Sequence, residues 1–222
     1  MQETTPRYTP RPRLTQLLEE GLAELDAGDD PGLPHRLAAY LGLLARWNEA
    51  YNLTAVRSPE DMVSRHVMDS LSILPFIGEG RVLDVGTGAG LPGLALAMAR
   101  PAQPFVLLDS LGKKTRFVRH AAAHLRLDNV TVVRARAEEH RDTDGFGAVV
   151  SRAFASIADF LRLAGHLAGE GGRLLAMKGE FPAAELDAVP AGWTLAGAHR
   201  LDVPGLDAQR HLLEFVRGVP GR

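Results

Sequence analysis

Asp84, Gly86, Gly88 and Gly90 occupy alternate positions of VLDVGTGAGLPG, with Thr87 among them, and this is the segment of the 222-residue chain richest in chemistry. Glycine tolerates positive φ and lets a ligand lie against the backbone, so repeated glycines after an apolar run suggest a ligand-cradling turn. A second acid, Asp109, ends the apolar run FVLLD, where a carboxylate can take ribose hydroxyls at the tip of a strand. Two nucleotide-like ligands fit this pattern. Gly88, Gly90 and Gly93 satisfy the G-x-G-x-x-G dinucleotide fingerprint, which supports an NAD-dependent oxidoreductase. The D-x-G-x-G-x-G spacing that starts at Asp84 is the form usual for S-adenosylmethionine, with Asp84 facing the amino-acid part of that cofactor.

These residues need a frame to hold them. Residues 82–85, 105–109, 130–133, 146–151 and 174–178 are short apolar runs that alternate with helical patterns at 92–100, 113–125 and 157–167. Near-continuous apolar strands separated by helices predict a parallel sheet covered on both faces, with its ligand beyond the carboxyl ends of the strands. Residues 193–203 and 210–217 have no helix between them and predict an antiparallel strand pair at the sheet edge, making seven strands. That pair favours S-adenosylmethionine over NAD. Ahead of the sheet, leucines recur at helical spacing from Leu14 to Leu25, and residues 35–50 repeat the pattern through Leu37, Tyr40, Leu41, Leu44 and Trp47. A third helix is expected from the Ser58 cap towards Leu74. The expected organisation is therefore a flexible Pro/Arg arm over 1–13, a helical extension over 14–78 and a cofactor-binding domain over 79–222.

Composition narrows the chemistry. With no cysteine there is no disulfide, no thiolate metal site and no thiol nucleophile. No stretch reaches the roughly 20 apolar residues that span a bilayer, and the start lacks a signal-peptide pattern, so a cytoplasmic protein with no membrane partner is expected. The net charge of −2 hides an asymmetry. Residues 14–30 carry six acids and no base, whereas residues 111–136 carry seven bases against Asp128 alone. Such a basic region can steer one face to nucleic acid, although most of the chain's bases are arginines scattered over its length. His120 and His124 have helical ligand spacing but no H-E-x-x-H pattern, so no metal is expected. Trp47 and Trp193 are expected in the core.

Beyond the glycine loop, WNEAYNLTAV at 47–56, RHVMDSL at 65–71, LLDSLGKKTRFV at 107–118, SRAFASI at 151–157, KGE at 178–180 and RHLLEF at 210–215 follow in order. Together with DVGTGAGLPG these blocks resemble the glucose-inhibited division protein B family over about residues 14–217. The resemblance implies a class I (Rossmann-like) methyltransferase fold that uses S-adenosylmethionine to methylate N7 of a guanine in 16S ribosomal RNA. It further implies cofactor contacts at Gly86 and Leu91, at Ala137 and Glu138, and at Arg152.

Guanine N7 is a free acceptor that carries no proton, so transfer to it needs alignment rather than a general base. No obligatory catalytic residue is expected. Candidates for holding the RNA are Asn52, Arg65, His66, Asp69, Arg116, Arg152, Lys178, Arg210 and His211. On a regular helix Arg65 and His66 would share one polar face with Asp69. A monomer acting on 16S ribosomal RNA or the small subunit is expected, and a non-catalytic RNA-binding protein on the same fold is the remaining alternative.

Overall fold

A computed structural model describes residues 12–28, 30–152 and 154–218. The Pro/Arg arm lies mostly outside these residues, but its last two, Pro12 and Arg13, already belong to the first helix. That helix, α1 (Pro12–Glu24), packs on α2 (Leu33–Tyr51) through the leucine stripes that the periodicity picks out. Leu14, Leu18, Leu37, Leu41 and Leu44 are fully buried, each contributing on the order of 1.5–3 kcal/mol of apolar burial.

The third helix departs from the expected regular form. Ser58 caps α3 (Pro59–Met62) by accepting from the Asp61 backbone N–H. Residues Val63–Met68 then widen into a π-helical turn before α4 (Asp69–Leu71), and the Asp69 N–H reaches back five residues to the Ser64 carbonyl. Nothing in a 3.6-residue pattern announces such a turn, which frequently marks functional sites.

Seven strands follow, interleaved with helices: β1 (Val82–Val85), α5 (Gly93–Ala99), β2 (Phe105–Asp109), α6 (Gly112–His124), β3 (Val130–Arg134), β4 (Phe146–Ser151), α7 (Ile157–Ala164), β5 (Ala168–Lys178), α8 (Ala183–Leu186), β6 (Trp193–Arg200) and β7 (His211–Arg217). They form one sheet in the order β3-β2-β1-β4-β5-β7-β6. Neighbours from β3 to β5 are parallel, while β7 runs antiparallel between β5 and β6. The strand order reverses between β1 and β4, which places a crevice at their carboxyl ends. β5 starts six residues earlier than its apolar run: Ala168 pairs with Phe146, the chain bulges through residues 169–172, and regular pairing resumes at Arg173 opposite Ala148.

Alternate strand residues enter opposite layers. Val82, Phe105, Leu107 and Val150 share one apolar cluster with α1, α2, α5 and Phe117 of α6. Leu83, Val106, Leu108 and Val149 face the other way, towards Phe160 and Leu161 of α7. The N-terminal helices and one face of the sheet thus share a single core.

Candidate active site

β1 delivers Val85 to the crevice, and the chain then turns through Gly86, Gly88 and Gly90 at φ of 72°, 59° and 88°. These are left-handed conformations that residues with a Cβ rarely adopt, which accounts for the alternating glycines. A Cβ on Gly90 would lie 2.4 Å from Leu94 Cδ1, so the loop folds tightly onto its own helix. The loop is also braced from outside the sheet. The fully buried Tyr40 of α2 donates its hydroxyl to the Ala89 carbonyl at 2.8 Å, and burial pushes its phenol pKa up. The sequence places Tyr40 on the apolar stripe of its helix and gives no sign of this bond.

Asp84 is completely buried. Its Oδ2 accepts from the Thr87 hydroxyl at 2.6 Å and from the Gly93 N–H at 2.8 Å. The first N–H of α5 is therefore taken by Asp84, and the helix begins at Gly93, one residue later than expected. The other oxygen, Oδ1, is buried with no hydrogen-bond partner. Burial raises the Asp84 pKa to about 6, against the lowering effects of Thr87, Gly93 and the nearby Arg152 charge. A buried carboxylate oxygen without a donor is costly unless a ligand supplies one. The amino group of S-adenosylmethionine is such a donor, so the residues fit this cofactor.

Asp109 ends β2 beside the loop. Its Oδ2 accepts from the Gly88 N–H at 3.0 Å, its Oδ1 from the Leu111 N–H at 2.8 Å, and the Lys114 ammonium lies 3.7 Å away. Gly86, Asp109, Ala137 and Glu138 line one cleft of about 310 Å³, together with Lys114 and Phe154. Lys114 and Phe154 carried no cofactor signal in the sequence. Leu91 is buried behind the loop.

Arg152 is not among the residues lining this cleft. It belongs to a polar knot at the ends of β4 and β7. Asp69, nearly buried, accepts from Arg152 Nη1 through Oδ2 and from Arg210 Nε through Oδ1, both at 2.9 Å. His66 stands in the same turn, its Nε2 2.8 Å from the Thr54 hydroxyl and its Nδ1 2.9 Å from the Arg65 carbonyl. Burial lowers the His66 pKa, so the ring is held neutral.

The expected polar face of Arg65 beside Asp69 is not formed. The π-helical turn rotates Arg65 to the exposed surface, and the arginines that Asp69 holds come from just after β4 and just before β7 instead. Lys178 is also not free to grip a phosphate: its ammonium sits 3.0 Å from both oxygens of Glu185, which also accepts the Ile157 N–H. His211 is tied through Nδ1 to the Gly179 carbonyl at 2.8 Å. Asn52 caps α2 in a left-handed conformation and accepts from Arg57 at 3.2 Å. Arg116 is exposed on α6. The sequence missed Asn48, whose side chain accepts from the Thr54 N–H and so holds the loop that presents Thr54 to His66. Its position inside the helical pattern gave no signal. Among the described residues no group of three His, Asp or Glu side chains could hold a metal ion, and no helix is long and apolar enough to cross a membrane.

Known proteins resemble this chain in sequence and in fold. The family model described as rRNA small subunit methyltransferase G matches residues 34–213. The ribosomal RNA small subunit methyltransferase G of Idiomarina loihiensis is 50% identical over 175 residues, covering 79% of this chain and 85% of its own length. Its namesake from Nitrosococcus oceani is 49% identical over 199 residues, 90% of this chain and 93% of its own. Among solved structures, TrmN of Thermus thermophilus aligns with a TM-score of 0.54 at 22% identity, covering 70% of this chain and 53% of its own. A glycopeptide N-methyltransferase, MtfA, solved with S-adenosylmethionine, aligns at a TM-score of 0.58 and 13% identity over 69% of this chain and 88% of its own. The two structures establish the fold as that of the class I methyltransferases. The family model spans most of the chain and the relatives approach half identity: the chain belongs to the rRNA small subunit methyltransferase G family.

Proposed function

We propose that this protein transfers a methyl group from S-adenosylmethionine to N7 of a guanine in 16S ribosomal RNA of the small subunit, acting as a cytoplasmic monomer. The observation that carries the cofactor reading is the buried, unpartnered Asp84 Oδ1 beneath a loop of three left-handed glycines. Family membership carries the substrate. An NAD-dependent oxidoreductase is not favoured, because β7 inserts antiparallel between β5 and β6, and because the family is one of methyltransferases.

S-adenosylmethionine, when bound, supplies a methyl group on a sulfonium centre. Asp84 is assigned to its amino group and Asp109 to its ribose, with Gly86, Thr87, Gly88, Gly90 and Leu91 forming the loop and Ala137 and Glu138 the far wall. The guanine N7 lone pair is already free, so no side chain has to remove a proton before attack. The work left to the protein is to orient the base and exclude water. Arg152 and Arg210 are assigned to the RNA, both held by Asp69, and His66, Asn52, Arg65, Arg116 and His211 are assigned to the RNA as further contacts. Lys178 is assigned a positioning role through Glu185 rather than a phosphate contact.

The test is transfer of labelled methyl to 30S subunits that lack the modification, followed by mass mapping of the 16S RNA. Methyl at a guanine N7 is the expected product. Cofactor binding without transfer to naked RNA or to subunits would favour a non-catalytic RNA-binding protein on this fold.

A further inference from the structure

Outside the cleft, four rings form a continuous ladder across the surface between α2 and α6. Tyr51 stacks on Trp47 at 5.2 Å and 30°, Trp47 meets His120 at 5.2 Å, and His120 stacks over His124 at 6.1 Å and 30°. Trp47 is anchored below by Phe117 at 5.5 Å, so the ladder is fixed to the core. Its outer end is open: Tyr51 is one of the few large apolar side chains left exposed among the described residues.

On α6 the fixed charges beside the ladder are all positive. Lys113, Arg116, His120 and His124 fall within one narrow stripe of α6 by helical spacing, and Gly112–His124 contains no acid. On α2 the nearest acid, Glu49, lies two residues from both Trp47 and Tyr51, on the far side of the helix. Lys113 donates to the Tyr51 carbonyl at 3.3 Å, tying the open end of the ladder to the start of α6. Two residues earlier stands Leu111, exposed and lining the cofactor cleft. The ladder therefore begins where the cleft ends.

We infer that this face is a docking track for an unpaired segment of the substrate RNA, with one base stacked on the open face of Tyr51 and phosphates against Lys113 and Arg116. This inference rests on the ribosomal RNA reading above. A ring already stacked on Trp47 gives up little side-chain freedom when a base lands on it, and an acid-free basic stripe complements a polyanion.

The test uses the full-length protein, with 16S RNA made by transcription and 30S subunits lacking the modification as probes. Tyr51→Ala is expected to weaken RNA binding and raise the KM for subunits about tenfold, while Tyr51→Phe restores both. Arg116→Gln is expected to lower the slope of log affinity against log salt by about one. S-adenosylhomocysteine affinity should stay within twofold of wild type in all three. If both Tyr51→Ala and Arg116→Gln bind 16S RNA and turn over subunits as wild type does, the track is overturned while the methyltransferase reading stands. If Tyr51→Ala does not fold, an unchanged salt slope in Arg116→Gln overturns the track by itself. If wild type neither binds nor modifies ribosomal RNA, both readings fall together.

Discussion

Replacing Asp69 by asparagine tests whether one buried carboxylate sets the angles of two arginines. The two oxygens serve different partners, Oδ2 taking Arg152 Nη1 and Oδ1 taking Arg210 Nε, each at 2.9 Å. Asparagine keeps the shape but offers one oxygen and one NH₂ group. Whichever way the amide turns, one arginine N–H meets another N–H, and both guanidinia lose their counter-charge. A charge-assisted hydrogen bond contributes about 1.5–3 kcal/mol, and water reaches the two arginines, whose side chains are each 27% exposed. The expected loss in stability is about 2 kcal/mol, well below the 3–5 kcal/mol typical of breaking a fully buried pair. Urea unfolding of Asp69→Asn, Arg152→Gln, Arg210→Gln and the two double variants measures this. The double variants should show coupling of at least about 0.5 kcal/mol. Methyl transfer to subunits should fall ten- to a hundredfold, with S-adenosylhomocysteine still bound. Wild-type turnover in a variant with zero coupling to either arginine would refute the idea that Asp69 positions them.

Three further outcomes follow from the loop and its supports. Asp84 has its pKa raised by burial to about 6 from an ordinary 3.8, so its contribution favours the native state below pH 3.8 and is lost as pH rises through 6. Asp84→Asn should therefore unfold at higher urea than wild type at pH 8, by roughly 3 kcal/mol, with the advantage vanishing near pH 4, and should bind S-adenosylmethionine at least tenfold more weakly. A stability difference that does not change with pH would exclude the buried carboxylate as its cause. Tyr40→Phe leaves no cavity but strands the Ala89 carbonyl; it should cost about 1–3 kcal/mol in urea unfolding and weaken S-adenosylhomocysteine binding measured by calorimetry. Gly90→Ala combines a φ of 88° with the Leu94 collision, whereas Gly171→Ala has a φ of 69° and no atom within 4 Å. The first should melt several degrees below the second in a thermal scan, and equal melting points would show that the collision relaxes without cost.

The sheet was the most legible part of the chain because β1, β2, β4 and the second half of β5 are near-continuous apolar runs and the breaks between them carry glycine, proline or a charge. The terminal pair was visible for the opposite reason: no helical pattern separates residues 193–203 from 210–217. The glycine loop could be read because left-handed φ values demand glycine, so the spacing records backbone geometry directly. What stayed hidden were contacts between distant segments. Asp69 sits 83 residues from Arg152 and 141 from Arg210, and no local pattern encodes which arginine a carboxylate will choose. The π-helical turn misled the reading in the same region: it turns Arg65 outwards by spending an extra residue, an event that 3.6-residue periodicity cannot register. Lys178 looked available because Glu185 lies beyond the strand in a segment with no recognisable block.

The position of β7 also bears on how the molecule assembles. This strand is the last in the described chain, yet it lies inside the sheet, with β5 on one side and β6 on the other. During synthesis β5 must wait with an unpaired edge, and β6 has nothing to join until residues 211–217 arrive. Arg210, which enters with that strand, is the second arm of the Asp69 clamp, so the clamp closes in the same event. Folding of this half is governed by long-range closure and should be slow compared with the local α1–α2 hairpin. In that interval the bare edge of β5 is the place where chains would stick to one another, so refolding at high protein concentration should favour association through this edge.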